Sequence, residues 1–431
     1  MRCHARLPLV FHPGYSPPWP DKHRFPMWKF RDLALQLQAD GLVHASPASG
    51  EAPFLRPVKA LEEQVLLAHD QDYYEGFCTN SLPAHLWRRI GFTQRPCHAQ
   101  LVQRTQLEVS GTLLAARKAL ERGMAGNLAG GTHHAHRAYG SGYTALNDLA
   151  ITAKVLLKEE AVARLLICDL DVHQGDGTAE ILKEEPRAFT MSVHCKDNFP
   201  FGFKGMSHLG HDQSDWNVAL PKGTADAVYL ATVFEHLQAV LEDFRPELVL
   251  YDAGVDVHVE DDLGNFCISW DGLRKREEMV LQLCVSKGIP IAFARAPDDA
   301  RRPLRSSGVA ITAMPNICPN ATPWSSTLRP SFTTDREAVR CGRNRGRRRW
   351  TWVPVADAKP AGRKRMPEQS TVLSAMLDNW TTPANFYLTL PFQDAVLKRQ
   401  ALRNSNSCAQ GIPKWRFLFL FVTKLGKKVF F

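Results

Sequence analysis

No stretch of the chain approaches the roughly 20 consecutive apolar residues that cross a bilayer as a helix, and the late apolar run at residues 417–422 is far too short. A membrane-spanning reading is set aside. The first residues offer no secretory apolar region either, because Pro8 and Pro13 flank only Leu9-Val10-Phe11. The ten cysteines are scattered and include no C-x-x-C pair. Cys168 and Cys284 sit inside apolar runs, where a free thiol behaves as a small hydrophobe. An intracellular, reducing setting is expected, in nucleus or cytoplasm. Aromatic hydroxyls also run out late: after Tyr251 the next tyrosine is Tyr387, and no histidine follows His258.

Charge is present but unevenly spread. Residues 295–431 hold 24 Lys and Arg against 8 Asp and Glu, a balance of +16, whereas residues 1–294 hold 29 against 36, a balance of −7. The net charge of +9 therefore belongs to the last third of the chain. A mildly acidic body suits a cationic substrate such as a lysine-rich peptide, and it does not suit nucleic acid.

Strand and helix alternate through that body. Apolar residues at helical spacing predict helices over 107–122, 144–160, 224–244 and 271–287, the last with Asp271 as N-cap and Gly288 after its end. Short apolar runs predict strands at Asn127-Leu128-Ala129, 164–168, 189–193, 248–251 and 289–293. Runs too continuous for a half-exposed strand point to parallel strands covered on both faces. The expected fold class is α/β, three-layer, a mostly parallel sheet with helices on both faces over residues 7–294. From Arg295 onward the periodicity collapses, and 295–431, with the basic cluster Arg340–Arg349, reads as a largely disordered tail.

Three polar motifs each follow a predicted strand: Gly130-Gly131-Thr132-His133-His134, Asp169-Leu170-Asp171-Val172-His173-Gln174-Gly175-Asp176-Gly177, and Asp252-Ala253-Gly254-Val255-Asp256. In a parallel sheet they would gather beyond the carboxyl ends of the strands, where ligands bind. Asp171 and His173, two apart, can share a cation, and Asp256 can supply a third ligand while one position stays open, as catalytic zinc requires. Two anionic ligands leave such a zinc less able to acidify water, so a base is needed beside it. His133 and His134 fit that need. Asp169 and Asp176 remain to fix their tautomers.

These motifs, with His12-Pro13, His23-Arg24-Phe25-Pro26, Ser141-Gly142-Tyr143, Leu146-Asn147-Asp148 and Ser192-Val193-His194, resemble the zinc-dependent histone deacetylase family. Its fold is shared with arginases, and the likeness is greatest to the class IV-like and bacterial branch, with its acetoin-utilisation and acetylpolyamine deacetylases. The resemblance implies that Asp171, His173 and Asp256 bind Zn²⁺, that His134 is the general base and His133 its partner, and that Asp169 pairs with His133 and Asp176 with His134. It further implies a channel for the acetyl-lysine stem at Gly142 and Tyr143, an internal cavity near Arg24, and a K⁺ site at Asp169, Ser192 and Val193.

One departure stands out. Family members follow the next strand with a glycine-rich turn carrying a carbonyl-polarising tyrosine, whereas here Phe293 is followed by Ala294-Arg295-Ala296-Pro297-Asp298-Asp299. This change reads as an alternative or misassigned carboxyl-terminal end; a functional tail would make Arg340–Arg349 a nuclear-localisation or nucleic-acid patch. The leading expectation is a deacetylase acting on acetylated lysine of histones or other proteins, a role in chromatin regulation. The competing expectations are a small-molecule, acetylpolyamine-type deacetylase and a catalytically silent binding protein. A two-metal arginase-type site is disfavoured, since the His-His pair replaces carboxylates that a second metal needs.

Overall fold

The computed structural model of the protein describes residues 7–43, 52–200 and 214–294. The turn after Phe293 and the basic tail expected from the sequence lie outside these residues.

The sheet opens with β1 (Leu9–Val10), followed by a 3-10 turn at Pro13–Tyr15 and helices α1 (Lys29–Ala39), α2 (Glu62–Val65), α3 (Gln71–Thr79) and α4 (Ala84–Ile90). A long helix, α5 (His98–Arg122), leads into β2 (Met124–Asn127). From there the order is α6 (Asp148–Lys158), β3 (Leu165–Asp169), α7 (Asp176–Leu182), β4 (Ala188–Cys195), β5 (Trp216–Leu220), α8 (Asp226–Asp243), β6 (Leu248–Asp252), α9 (Trp270–Ser286) and β7 (Ile291–Ala294).

The seven strands form one sheet in the order β1-β2-β7-β6-β3-β4-β5, and every pairing among them is parallel. All five residues of β3 and of β6 are buried, as helices on both faces of a parallel sheet require. Helix α5 packs on β2, β7 and α6, and α8 packs on α9. Strand β5 alternates between half-buried and exposed, as an edge strand should. Among the described residues no helix is long and apolar enough to cross a membrane.

Register aligns the carboxyl ends of the strands. Asn127 pairs with Ala294, Ala294 with Asp252, Asp252 with Asp169, Asp169 with Ser192, and Ser192 with Asn217. The three polar motifs therefore leave the sheet at the same level.

Several boundaries differ from expectation for local reasons. Helix α6 starts at Asp148 and not at 144, because the Asn147 side chain caps it by accepting from the Ala150 amide at 2.9 Å. Helix α9 is capped by Ser269, whose hydroxyl accepts from the Gly272 amide; Asp271 instead lies in the first turn and pairs with Arg274 and Lys275. The short strand foreseen at 127–129 is β2, displaced to Met124–Asn127. Helix α5 reaches back to His98, nine residues before the predicted start at 107. The missed part carries Arg104, which with Glu108 and Thr112 makes a buried polar row at i, i+4, i+8 that breaks the apolar periodicity.

Candidate metal centre

The buried row on α5 prepares the His-His turn. Arg104 pairs with Glu108 at 2.7 Å, and Glu108 accepts from the Gly130 amide at 3.3 Å. Asp148, at the start of α6, accepts from the amides of Gly131 and Thr132 at 3.0 and 2.7 Å and from the Thr112 and Thr132 hydroxyls. Two carboxylates thus satisfy the amides of a tight turn that no strand partner reaches. Asp148 belongs to a motif singled out in the sequence, but its role there had no local signature.

The turn delivers His133 and His134 side by side, ring centroids 4.1 Å apart. His133 Nδ1 lies 2.9 Å from Asp169 Oδ2, and His134 Nδ1 lies 2.7 Å from Asp176 Oδ1. A carboxylate only accepts, so each Nδ1 carries a hydrogen and each Nε2 faces away from its partner. The two rings are tuned apart. Burial opposes a charge on His133, but Asp169 and Asp171 outweigh it and hold its pKa well above the ordinary value. Burial and the neighbouring His133 bring His134 down to about 4, against the pull of Asp176. The second oxygen of Asp176 takes His136 Nε2 at 3.1 Å, a partner missed in the sequence. Burial notwithstanding, His134 and His136 hold the Asp176 carboxyl below the usual carboxylate range.

Asp171, His173 and Asp256 converge as expected, each offering a ligand atom within 4.8 Å of the others. His173 Nδ1 lies 3.1 Å from Asp171 Oδ1 and 3.0 Å from Asp256 Oδ2. Burial and the neighbouring Asp171 push Asp256 up to about 7. His173 rises to about 10, because the two carboxylates outweigh its burial. Two buried carboxylates facing one ring nitrogen call for a cation between them, and one nitrogen with two oxygens is a donor set that suits zinc. The residues fit that ion.

Asp252, given no role from the sequence, is fully buried at the end of β6, and neither carboxylate oxygen has a hydrogen-bond partner among the described residues. Its Oδ2 lies 3.7 Å from His133 Nδ1, and burial together with Asp169 holds its pKa well above the carboxylate range. A signal for it existed: Leu-Val-Leu-Tyr-Asp repeats the pattern Leu-Leu-Ile-Cys-Asp that ends in Asp169. Asp169 and Ser192 are register neighbours, with Val193 next in β4, and the Ser192 hydroxyl lies 3.3 Å from His194 Nδ1.

These groups face a cavity of about 470 Å³ whose lining includes His133, His134, Asp171, His173, Asp256, Gly142 and Tyr143. Arg24 lines this cavity too. Gly142 has φ +55, and a Cβ there would meet the His134 ring at 2.8 Å, so glycine lets this turn rest directly against the ring. The Tyr143 ring packs against Phe25 and Phe92, at 5.4 and 5.9 Å. Phe199, overlooked in the sequence, stands edge-on to His134 at 4.8 Å and forms another wall.

The histone deacetylase domain family matches residues 23–295. An uncharacterized protein of Picosynechococcus sp. is 45% identical over 286 residues, which is 66% of this chain and 90% of that protein. Histone deacetylase 2 of Arabidopsis thaliana is 30% identical over 276 residues, 63% of this chain and 68% of its own length. Among solved structures, an HDAC homolog complexed with SAHA matches at a TM-score of 0.56 and 25% identity, covering 71% of this chain and 81% of that one.

Proposed function

The chain belongs to the histone deacetylase family, and from that premise we propose that it hydrolyses the amide of acetylated lysine in a protein, using zinc. The observation that carries this reading is the placement of the Asp171, His173 and Asp256 donors and the His134–Asp176 pair on one cavity. Zinc bound by those three residues would polarise the scissile carbonyl and the attacking water.

The remaining work falls to side chains. With Nδ1 committed to Asp176, neutral His134 presents the Nε2 lone pair, takes the proton of the attacking water and passes it to the leaving amine. His133, anchored by Asp169, stands beside it to stabilise negative charge as it grows on the substrate oxygen. Asp169 and Asp176 orient the two rings. The cavity lined by Gly142, Tyr143 and Phe199 suits an unbranched alkyl stem, with the two aromatic rings as apolar flanks. Asp169 and Ser192 would hold potassium, an ion that tunes charge and does not react.

The sequence after Phe293 lacks the tyrosine turn of the family. One missing oxyanion donor lowers a rate by about 10²–10³, so slow turnover is expected. The test measures zinc content of the purified chain together with acetate release from an acetyl-lysine peptide and from an acetylated polyamine. Bound zinc and release from the peptide, suppressed by a chelator, support the reading. A chain that takes up no zinc overturns it, and release from the polyamine alone transfers the reaction to small molecules.

A further inference from the structure

Arg276 on α9 is completely buried, and it reaches two of the polar motifs, one of them 106 residues away in the chain. Its Nη1 donates to the carbonyl of Gly254 at 2.7 Å and to the carbonyl of Leu170 at 3.1 Å. Leu170 immediately precedes the ligand Asp171, and Gly254 lies two residues before the ligand Asp256. One guanidinium therefore joins the two turns that carry the carboxylate ligands.

The turns are also in direct contact. A Cβ on Gly254 would fall 2.5 Å from the Cα of Asp171 and 2.6 Å from its Oδ2, so the backbone of one turn rests against the ligand of the other. Val172 donates its amide to Asp256 Oδ1 at 2.9 Å. Beneath this contact Arg276 is itself fixed: Nε lies 3.1 Å from Glu277 Oε1, Glu277 Oε2 accepts from the Tyr251 hydroxyl at 2.8 Å, and the Tyr229 hydroxyl also donates to Leu170 O at 3.3 Å. Glu277 cancels the arginine charge, which leaves geometry as the main effect on the site. A buried ion pair is weak evidence for stability as such, and here its spare donors go to carbonyls beside metal ligands.

We propose that Arg276 is a positioning residue of the metal centre, clamping the Leu170 and Gly254 carbonyls so that Asp171 and Asp256 keep the separation that zinc requires. The proposal rests on the zinc reading of Asp171, His173 and Asp256 given above. Outer partners of metal ligands typically change affinity by about 10- to 100-fold.

The experiment measures the zinc dissociation constant of the full chain by competition with a chromophoric chelator, alongside denaturant unfolding of the metal-free protein. Arg276→Met should bind zinc at least ~10-fold more weakly. Arg276→Lys, which keeps the charge but lacks the planar fork, should be weakened less. Leu273→Ala, a buried apolar position on the same helix, should unfold at lower denaturant while its zinc affinity stays within about twofold of the parent. Should Arg276→Met not fold, Arg276→Lys against Leu273→Ala carries the same comparison. Unchanged affinity in folded Arg276 variants overturns the proposal, and so does a loss in Leu273→Ala equal to theirs. Failure of the parent chain to bind zinc is read first and separately; it removes the metal reading and the clamp with it.

Discussion

At His134 the sequence offered an adjacent pair of imidazoles, and the fold places them in unequal electrostatic surroundings. Its pKa is brought down to about 4 by burial and by His133, while His133 is driven the other way. Replacing His134 by Ala should lower kcat by ~10²–10⁴ with zinc content unchanged, as followed by acetate release and metal analysis. Asp256→Asn removes a charged donor and should empty the centre, a loss read by metal content alone. The clustering of the candidate ligands was legible because spacing two apart after an apolar strand puts Asp171 and His173 on one side. The roles of Asp148, His136 and Phe199 were not, because they come from neighbours distant in sequence, whereas Asp252 was marked only by the strand pattern it shares with Asp169. His69 adds a titration away from the metal. It is buried, accepts from the Asn147 amide at 2.9 Å, and burial lowers its pKa to about 4. The unfolded chain takes up this proton below about pH 6.5 and the folded chain only near pH 4. Stability contributed here is thus full above pH 6.5 and lost as pH falls toward 4, by up to about 3 kcal/mol at about 1.4 kcal/mol per pH unit. His69→Gln should flatten that part of the acid slope in pH-dependent unfolding.

Among the elements, continuous apolar runs announced β3 and β6, because a strand covered on both faces has no polar alternation to hide it. Helix starts were harder to read, since caps such as Asn147 and Ser269 depend on the angle at which the chain enters. The front half of α5 escaped notice for a different reason: its buried face is polar. That face serves the His-His turn through Glu108 and Asp148. Asp148→Asn would point an amide donor at groups that donate, leaving at least one buried partner unmet, a loss of about 1–3 kcal/mol each. Urea unfolding should register it, and so should a fall in kcat out of proportion to any change in zinc content.

For the whole molecule, the split between an acidic body and a basic end was visible from charge alone, and the alternation of strand and helix was enough to choose a parallel α/β sheet. Strand order was not, because sequence neighbours β2 and β3 are separated in the sheet by β7 and β6. If zinc binds only the folded chain, a free concentration 100 times its dissociation constant adds about 2.7 kcal/mol. Since ~1 kcal/mol moves the melting temperature of a domain this size by about 2–4 °C, saturating zinc should raise it by roughly 5–10 °C, and a chelator should reverse the rise in calorimetry.

The contact between the turns after β3 and β6 has a kinetic side. Val172 and Asp256, which meet there, are 84 residues apart in the chain, so the donor set closes only after a long loop has been drawn in and distant strands have paired, a slow class of event. On the zinc reading, the complete donor set would therefore form only with the paired sheet, and the ion would lock together turns that lie far apart in the chain.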